Sequence, residues 1–253
     1  INFKPLSWLI LVIGFIIYLA CAINTGHTGG QSINNFVKAS KFDLGQYQTI
    51  LNISQLEDWI IKIGEKGVVA VDTETSSLNP QEANLVGISL CFAPGRACYI
   101  PLEHATEKVL EKKLVLEKLK IILEDKSIKK IGQNIKFDFI MLFRNGIKLN
   151  SIEDTMLMSY VLDGGKHRHN MDNLSEIHFS HKPISFKDVT GSGKNQISFD
   201  KVPIKLATKY AAEDADVTFR LYLLFRDRLV QEKFIKIYEL FEKPMVNLLA
   251  QME

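Results

Sequence analysis

The amino-acid sequence predicts an α/β domain with a mixed central β-sheet flanked by α-helices. Short apolar runs at 68–71, 85–92 and 97–100 have the length and composition of buried strands. Ala-Pro-Gly-Arg separates the last two runs, and its Pro-Gly turn signal favours antiparallel pairing. Strand and helix patterns alternate further along the chain, which is typical of a sheet covered by helices.

The segments on either side of these strands carry helix signals. Residues 54–63 have an amphipathic pattern, with Ser54 as the predicted N-cap and Glu57 in the capping-box position. A charged amphipathic pattern over 106–125 predicts a second helix, and the segment 127–131 is interpreted as a further strand.

Helical patterns dominate after Asn134, apart from a Gly-rich stretch around 191–195. Leu and Phe recur at helical spacing over 219–241, and we assign these side chains to the core.

Composition excludes several classes of protein. The chain has 253 residues, of which 46% are hydrophobic and 24% charged, so it can bury a sizeable core and is not wholly disordered. Lys and Arg number 31 against 29 Asp and Glu, a net charge of +2, which excludes a histone-like protein but leaves room for a nucleic-acid enzyme. Cys21, Cys91 and Cys98 form no CxxC pair, and we expect them to be reduced.

The first residues differ from the rest of the chain. Eighteen residues, 6–23, carry no charge and follow Lys4. As a helix they would span about 27 Å, just short of the ~30 Å hydrocarbon core of a bilayer. A membrane anchor, a signal peptide and a foreign sequence joined to the domain are the three interpretations. The chain begins with Ile, so we expect a fragment or a processed product.

Three regions follow from these patterns. We divide the chain into an apolar segment at 1–23, a Gly-, Ser- and Asn-rich linker at 24–46 and an organised domain at 47–253.

Acidic side chains follow the first predicted strand. Asp72 and Glu74 come directly after Val-Val-Ala-Val, and residues at i and i+2 of an extended segment point to the same side. Both carboxylates can therefore converge on one ion. Taken alone, such a pair is most often a solvated strand end.

Two further motifs add to this pair. Asp138 follows a predicted strand and opens a helical segment, where a helix-start acid is the ordinary interpretation. Tyr210 and Asp214 are four residues apart and so share one helix face. Carboxylate oxygens favour Mg²⁺ or Mn²⁺, and two such ions can activate a water and stabilise the leaving oxygen of a phosphodiester.

The motifs VDTET, NIKFD and YAAED occur in an order and spacing that resembles the proofreading 3′–5′ exonuclease domain of bacterial DNA polymerase I. That domain belongs to the four-carboxylate exonuclease superfamily, in the subclass with a Tyr in its last motif. The similarity runs from about residue 47 to residue 253. It implies a ribonuclease H-like fold, a cytoplasmic enzyme of DNA replication and repair, and hydrolysis of single-stranded DNA 3′ ends to nucleoside 5′-monophosphates.

The resemblance also implies residue roles. Asp72, Glu74 and Asp214 would bind one metal ion, and Asp72 and Asp138 a second, with Tyr210 positioning the attacking water. The residues that would seat the single-stranded 3′ end are Leu78, Asn134, Arg168 and Phe186.

Several alternatives stay open. Ribonuclease D-like trimming of RNA 3′ ends shares the same motifs, and an inactive module that binds DNA ends is a rival of another class. The chain ends where a polymerase domain would begin, so we expect no polymerisation. It is either a stand-alone exonuclease or a piece of a longer chain with a polymerase module. Membrane association and the choice between Mg²⁺ and Mn²⁺ are not settled by the motifs.

Four histidines lie close together but lack Cys partners and a Glu base between them. We interpret them as surface or substrate-contacting side chains rather than as a zinc site. They are His167, His169, His178 and His181.

Overall fold

The structure is a computed structural model that describes residues 47–105 and 107–253. The predicted apolar segment 1–23 and the predicted linker 24–46 lie outside the described residues. Among the residues that are described, no helix is long and apolar enough to span a bilayer.

The described chain alternates strands and helices. The strands are β1 (Gln48–Thr49), β2 (Val68–Thr75), β3 (Leu85–Ala93), β4 (Arg96–Pro101), β5 (Lys129–Gly132) and β6 (Ile152–Asp154). The helices are α1 (Ile53–Lys66), α2 (Lys112–Leu123), α3 (Ile135–Arg144), α4 (Thr155–Asp163), α5 (Met171–Phe179), α6 (Phe186–Thr190), α7 (Ile204–Gln231), α8 (Ile235–Ile237) and α9 (Lys243–Met252). Short 3-10 turns cover Gly193–Asn195 and Phe199–Lys201, and a π-helical turn covers Tyr238–Glu242.

The six strands form one mixed sheet in the order β1-β4-β3-β2-β5-β6. β2 pairs antiparallel with β3 and parallel with β5, and β3 pairs antiparallel with β4. The parallel partners β5 and β6 are joined through α3, as a parallel connection requires. The predicted α/β fold with a mixed sheet flanked by helices is confirmed.

Apolar side chains of the described part of the chain form cores against the sheet. The larger includes Val69 and Val71 of β2 together with buried residues of α1, α2 and α3. A smaller core joins Tyr99 of β4 to Ala207 and Ala211 of α7. Side chains alternate between the two faces of a strand. The residues of β2 that alternate with these valines therefore point to the opposite face of the sheet, on the side of α7.

Helix α1 starts earlier than predicted. The predicted cap Ser54 lies inside the helix and is exposed, whereas Asn52 is the N-cap and its Oδ1 accepts a hydrogen bond from the Gln55 N–H at 2.9 Å. The sequence pattern was wrong here because Asn and Ser are equally good caps and the apolar periodicity begins at Ile53. The helix ends at Gly67, in the left-handed conformation at φ 65.

The predicted helix over 106–125 is shorter, since α2 covers only Lys112–Leu123. Glu107 instead accepts a hydrogen bond from the backbone N–H of Ile204, at the first turn of α7, at 2.9 Å. A long-range contact therefore overrides the local helical pattern. The two short strands β1 and β6 were not predicted, because two or three residues carry no readable periodicity.

We expect Asn52→Ala to lower the free energy of unfolding by about 1 kcal/mol, since it leaves a helix-end N–H without its partner. Ser54→Ala is the matched control and should change stability by less than about 0.5 kcal/mol. Urea unfolding monitored by circular dichroism measures both. Equal losses in the two variants would contradict the assignment of Asn52 as the cap.

Candidate active site

Three carboxylates converge where β2 ends. Asp72 and Glu74 lie two residues apart on β2 and point to the same side of the sheet. Asp214 reaches them from α7, which packs across that side. One oxygen from each of the three lies within 4.8 Å of the others. The local pair predicted from the sequence and the distant Asp214 thus form a single cluster.

The fourth predicted carboxylate, Asp138, lies in the first turn of α3 and contacts β2 at the residue between Asp72 and Glu74. Its Oδ1 accepts hydrogen bonds from the Thr73 N–H at 2.9 Å and from the Thr73 hydroxyl at 2.6 Å. These two hydrogen bonds fix the Asp138 carboxylate next to β2, where its charge contributes to the raised pKa of Glu74. No sequence pattern predicts this role of Thr73, because Thr is a common residue in strands.

Asp154 orients the helix that carries Asp138. Its carboxylate accepts hydrogen bonds from the N–H groups of Asn134 and Ile135 at the start of α3, and from those of Met156 and Leu157 at the start of α4. One buried carboxylate therefore caps two helices. The Asp154 N–H in turn donates to the Tyr238 hydroxyl at 2.9 Å.

Burial raises the pKa of every carboxyl group in the cluster. Desolvation raises the pKa of Asp72 to about 6. Desolvation also raises the pKa of Glu74 well above its ordinary range, and the charges of Asp72, Asp214 and Asp138 raise it further. The pKa values of Asp138 and Asp214 rise for the same reasons, burial first and then the charge of Asp72. Four ionised groups in this space repel one another unless cations neutralise them.

Two oxygens of the cluster accept no hydrogen bond from the described residues. They are Glu74 Oε1 and Asp214 Oδ1, and both are inaccessible to solvent. A buried carboxylate oxygen without a partner carries a large desolvation cost. Divalent cations with a preference for oxygen ligands would remove that cost, so the donor set fits Mg²⁺ or Mn²⁺.

Tyr210 stands beside the cluster, one turn before Asp214 on α7. Tyr210 and Asp214 both line the cavity that opens over the cluster. Desolvation and the charges of Asp214, Glu74 and Asp72 raise the pKa of the Tyr210 hydroxyl far above its ordinary value. Tyr210 therefore remains protonated at neutral pH and can orient a polar group by hydrogen bonding.

A cavity of about 530 Å³ opens over the cluster. The residues that line it are Asp72, Thr73, Glu74, Thr75, Ser76, Ser77, Leu78, Phe137, Phe186, Gly193, Gln196, Ile197, Ser198, Phe199, Tyr210 and Asp214. Most of these lining side chains are polar or aromatic. This volume is in the range of small-molecule and nucleotide sites in proteins.

Two of the four residues predicted to seat the single-stranded 3′ end line this cavity. Leu78 is 91% exposed in the loop after β2, and Phe186 is 40% exposed at the start of α6. The Phe186 ring stacks on Phe199, with centroids 6.1 Å apart, and meets Tyr210 edge-on. The sequence analysis assigned no role to Phe199, or to Phe137, although Phe137 lies within the motif NIKFD.

The other two predicted residues do not line the cavity. Asn134 is exposed at the N-cap of α3, in the left-handed conformation at φ 60. Arg168 is exposed in the segment before α5, where its carbonyl accepts a hydrogen bond from Asn173. Their roles at a 3′ end stay predictions.

The histidines do not contribute to the carboxylate cluster. His167 and His178 form a second group with Asp163, within 4.8 Å. Arg228 and Lys166 already bind the Asp163 carboxylate, at 2.7 and 2.8 Å, and their charges disfavour a metal ion there. His181, by contrast, is largely buried against Glu213.

Comparisons with known proteins agree with this geometry. A family model described as 3′–5′ exonuclease matches residues 47–230. DNA polymerase I of Rhizobium leguminosarum is 44% identical over 232 residues, which cover 84% of this chain and 23% of that protein. DNA polymerase I of Pseudomonas aeruginosa is 38% identical over 214 residues, with 82% of this chain and 23% of the relative covered.

Solved structures share the fold at lower identity. Brucella melitensis NrnC superposes with a TM-score of 0.60 and 23% identity, covering 81% of this chain and 92% of that one. Escherichia coli RNase D gives a TM-score of 0.60 at 17% identity, covering 81% and 51%. These likenesses show the ribonuclease H-like fold and nothing more specific. The family model and the polymerase relatives cover the same domain, and on that ground the chain belongs to the 3′–5′ exonuclease family.

Proposed function

We propose that this chain is a metal-dependent exonuclease that removes nucleotides from single-stranded DNA 3′ ends and releases nucleoside 5′-monophosphates. The observation that carries the proposal is the convergence of Asp72, Glu74 and Asp214, with two buried oxygens that accept no hydrogen bond within 47–105 and 107–253. A protein without a cation at this place would bear the full repulsion of these groups.

The carboxylates are proposed to bind two divalent cations. Asp72, Glu74 and Asp214 would hold one, and Asp72 with Asp138 the second. Bound cations of this kind supply an activated water and neutralise charge on the leaving oxygen. The hydrogen bonds from Thr73 occupy one Asp138 oxygen, Oδ1, and leave the other for a water or an ion.

Tyr210 is proposed to orient the attacking water. Because its pKa is raised, its hydroxyl keeps the proton and acts by hydrogen bonding rather than as a base. Its contacts with Phe186 and Phe199 hold the ring beside the cluster. Positioning of this kind lowers the entropic part of the barrier.

Leu78 and Phe186 are proposed to seat the terminal bases. The exposed Leu78 can insert between two bases, and the exposed face of Phe186 can stack on one. Phe199 supports the opposite face of Phe186. Arg168 is proposed to bind phosphate, and Asn134 to contact the strand, from outside the cavity.

DNA is proposed as the substrate because the identity to DNA polymerase I extends through the whole domain. RNA trimming is supported only by the fold shared with NrnC and RNase D. A polymerase module is the proposed partner, since the chain spans 23% of the length of these relatives. Leu240 and Phe241, which their helical spacing assigned to the core, are exposed instead, and together with the exposed Met252 they suit such a contact.

Wild-type chain should shorten a 5′-labelled single-stranded DNA from its 3′ end in Mg²⁺ or Mn²⁺, and not in EDTA. Asp214→Asn should lower the rate by at least about 10²–10³-fold, because it removes a charge at the reacting phosphate. Asp227→Asn, half-exposed further along α7, is the matched control and should retain activity. A matching RNA substrate distinguishes the two proposed nucleases.

Tyr210→Phe should slow hydrolysis by on the order of 10²-fold while leaving substrate affinity nearly unchanged. The substitution removes only the hydroxyl, so the aromatic packing against Phe186 and Phe199 is kept. Single-turnover rates and the Kd for the oligonucleotide separate the two effects. An unchanged rate would contradict the role of the hydroxyl.

Metal binding should stabilise the protein more at pH 8 than at pH 5.5. Because the folded-state pKa of Asp72 is raised, this carboxyl stabilises the metal-free fold below its ordinary pKa of 3.8, and that contribution is lost as the pH rises through about 6. The raised pKa values of Glu74, Asp138 and Asp214 act in the same direction. Mg²⁺ at about 100 times its Kd should raise Tm by about 5–10 °C at pH 8. Differential scanning fluorimetry with and without Mg²⁺ measures the increment, and an equal increment at both pH values would contradict the linkage.

A further inference from the structure

Glu213 is a buried carboxylate that neither the metal cluster nor the mechanism above uses. It precedes Asp214 on α7, but consecutive helical residues point about 100° apart, so the two side chains leave the helix in different directions. Glu213 is 1% exposed. A buried charge of this kind is retained only with well-placed partners.

Both oxygens of Glu213 bind one segment of the chain. Oε1 lies 2.9 Å from His181 Nε2, and Oε2 accepts the backbone N–H of Ile184 at 2.7 Å. An ionised carboxylate only accepts hydrogen bonds, so both partners act as donors. The segment 181–184 is therefore fixed to α7 at two points, directly beside the proposed metal ligand.

The residues that follow this segment directly form the part of the cavity wall that contains Phe186. Ser185 follows Ile184 and forms a capping box with Asp188, which starts α6. Phe186 is the first residue of α6 and lies two positions beyond the anchored N–H. The position of the Phe186 ring thus depends on where Glu213 binds the chain before it.

We propose that Glu213 is a positioning residue, which holds the Phe186 ring where it can stack on the terminal base of the substrate. The proposal rests on the proposed function, in which Phe186 stacks on the 3′-terminal base. Glu213 touches neither substrate nor metal and acts through the backbone of Ile184 and the side chain of His181. Its loss should weaken binding of the 3′ end and leave the hydrolytic step nearly intact.

The test uses Glu213→Gln, which keeps the size of the side chain. A carboxamide replaces one of the two accepting oxygens by an NH2 donor, so it can accept the Ile184 N–H but no longer accepts a second hydrogen bond from His181 Nε2. We expect KM for single-stranded DNA to rise about tenfold with kcat changed by less than about threefold, a loss in the range of one charged hydrogen bond. His181→Ala removes the hydrogen bond between His181 and Glu213 by changing the partly exposed partner, and it should also raise KM.

A double-mutant cycle shows whether the effect passes through Phe186. If it does, Glu213→Gln combined with Phe186→Ala should raise KM no more than Phe186→Ala alone. Effects that multiply would overturn the proposal, as would a fall in kcat at unchanged KM, which would place the action of Glu213 on Asp214. Unchanged kinetics in both Glu213→Gln and His181→Ala would overturn it as well.

The matched control is Asp216→Asn on the same helix. Asp216 is equally buried and accepts hydrogen bonds from Arg220, Tyr47 and Gly95. Its loss should lower Tm while KM stays the same, because none of these partners lines the cavity. A KM that rises equally in this control would show a general loss of stability and would overturn the specific role of Glu213.

Binding in EDTA separates this proposal from the proposed function. An oligonucleotide with 2-aminopurine at its 3′ terminus loses fluorescence when the base stacks, and no hydrolysis occurs without metal. Wild-type chain should quench it, and Glu213→Gln should need about tenfold more protein for half the quenching. Quenching without nuclease activity in metal would refute only the proposed function, and equal quenching by both proteins would refute only the role of Glu213.

Discussion

The repulsion among the acidic side chains at the end of β2 is the constraint on which the rest of the domain depends. Asp72 and Glu74 are neighbours on one strand, and Asp214 is brought against them by α7. Like charges in a space of low dielectric would drive these elements apart. Their position in the middle of the sheet opposes this, because β2 is bonded to β3 on one side and β5 on the other. The apolar cores on both faces therefore stabilise an arrangement that is unfavourable in itself.

The segment of the cavity wall that bears Leu78 and the segment that leads to Phe186 are each hydrogen bonded to a helix that carries one of the carboxylates. Arg144, at the end of α3, donates hydrogen bonds to the carbonyls of Pro80 and Ala83 in the loop that bears Leu78. On the other wall, α7 fixes the segment that leads to Phe186. The groups proposed to contact bases and the groups proposed to bind metal thus share the same rigid elements. A site built in this way needs no closing loop to align the two.

The parts of the site that follow from local periodicity could be predicted from the sequence. The two-residue spacing of Asp72 and Glu74 and the four-residue spacing of Tyr210 and Asp214 each define one face of a strand or helix. What the sequence could not give were contacts between distant segments. The hydrogen bonds of Thr73 to Asp138 join residues 65 positions apart, and no local pattern marks either one as a partner. The same reason applies to Glu107, whose bond to α7 shortened a predicted helix.

The shared cap at Asp154 has a consequence for how the domain opens. If the first turn of α3 unwinds, a buried carboxylate loses two of its donors, and the same holds for α4. Fraying of either helix end therefore removes donors from the same carboxylate that caps the other helix. The Tyr238 hydroxyl extends this dependence to the π-helical turn. We therefore expect these three elements, and Asp138 with them, to open together as one cooperative unit of native-state hydrogen exchange.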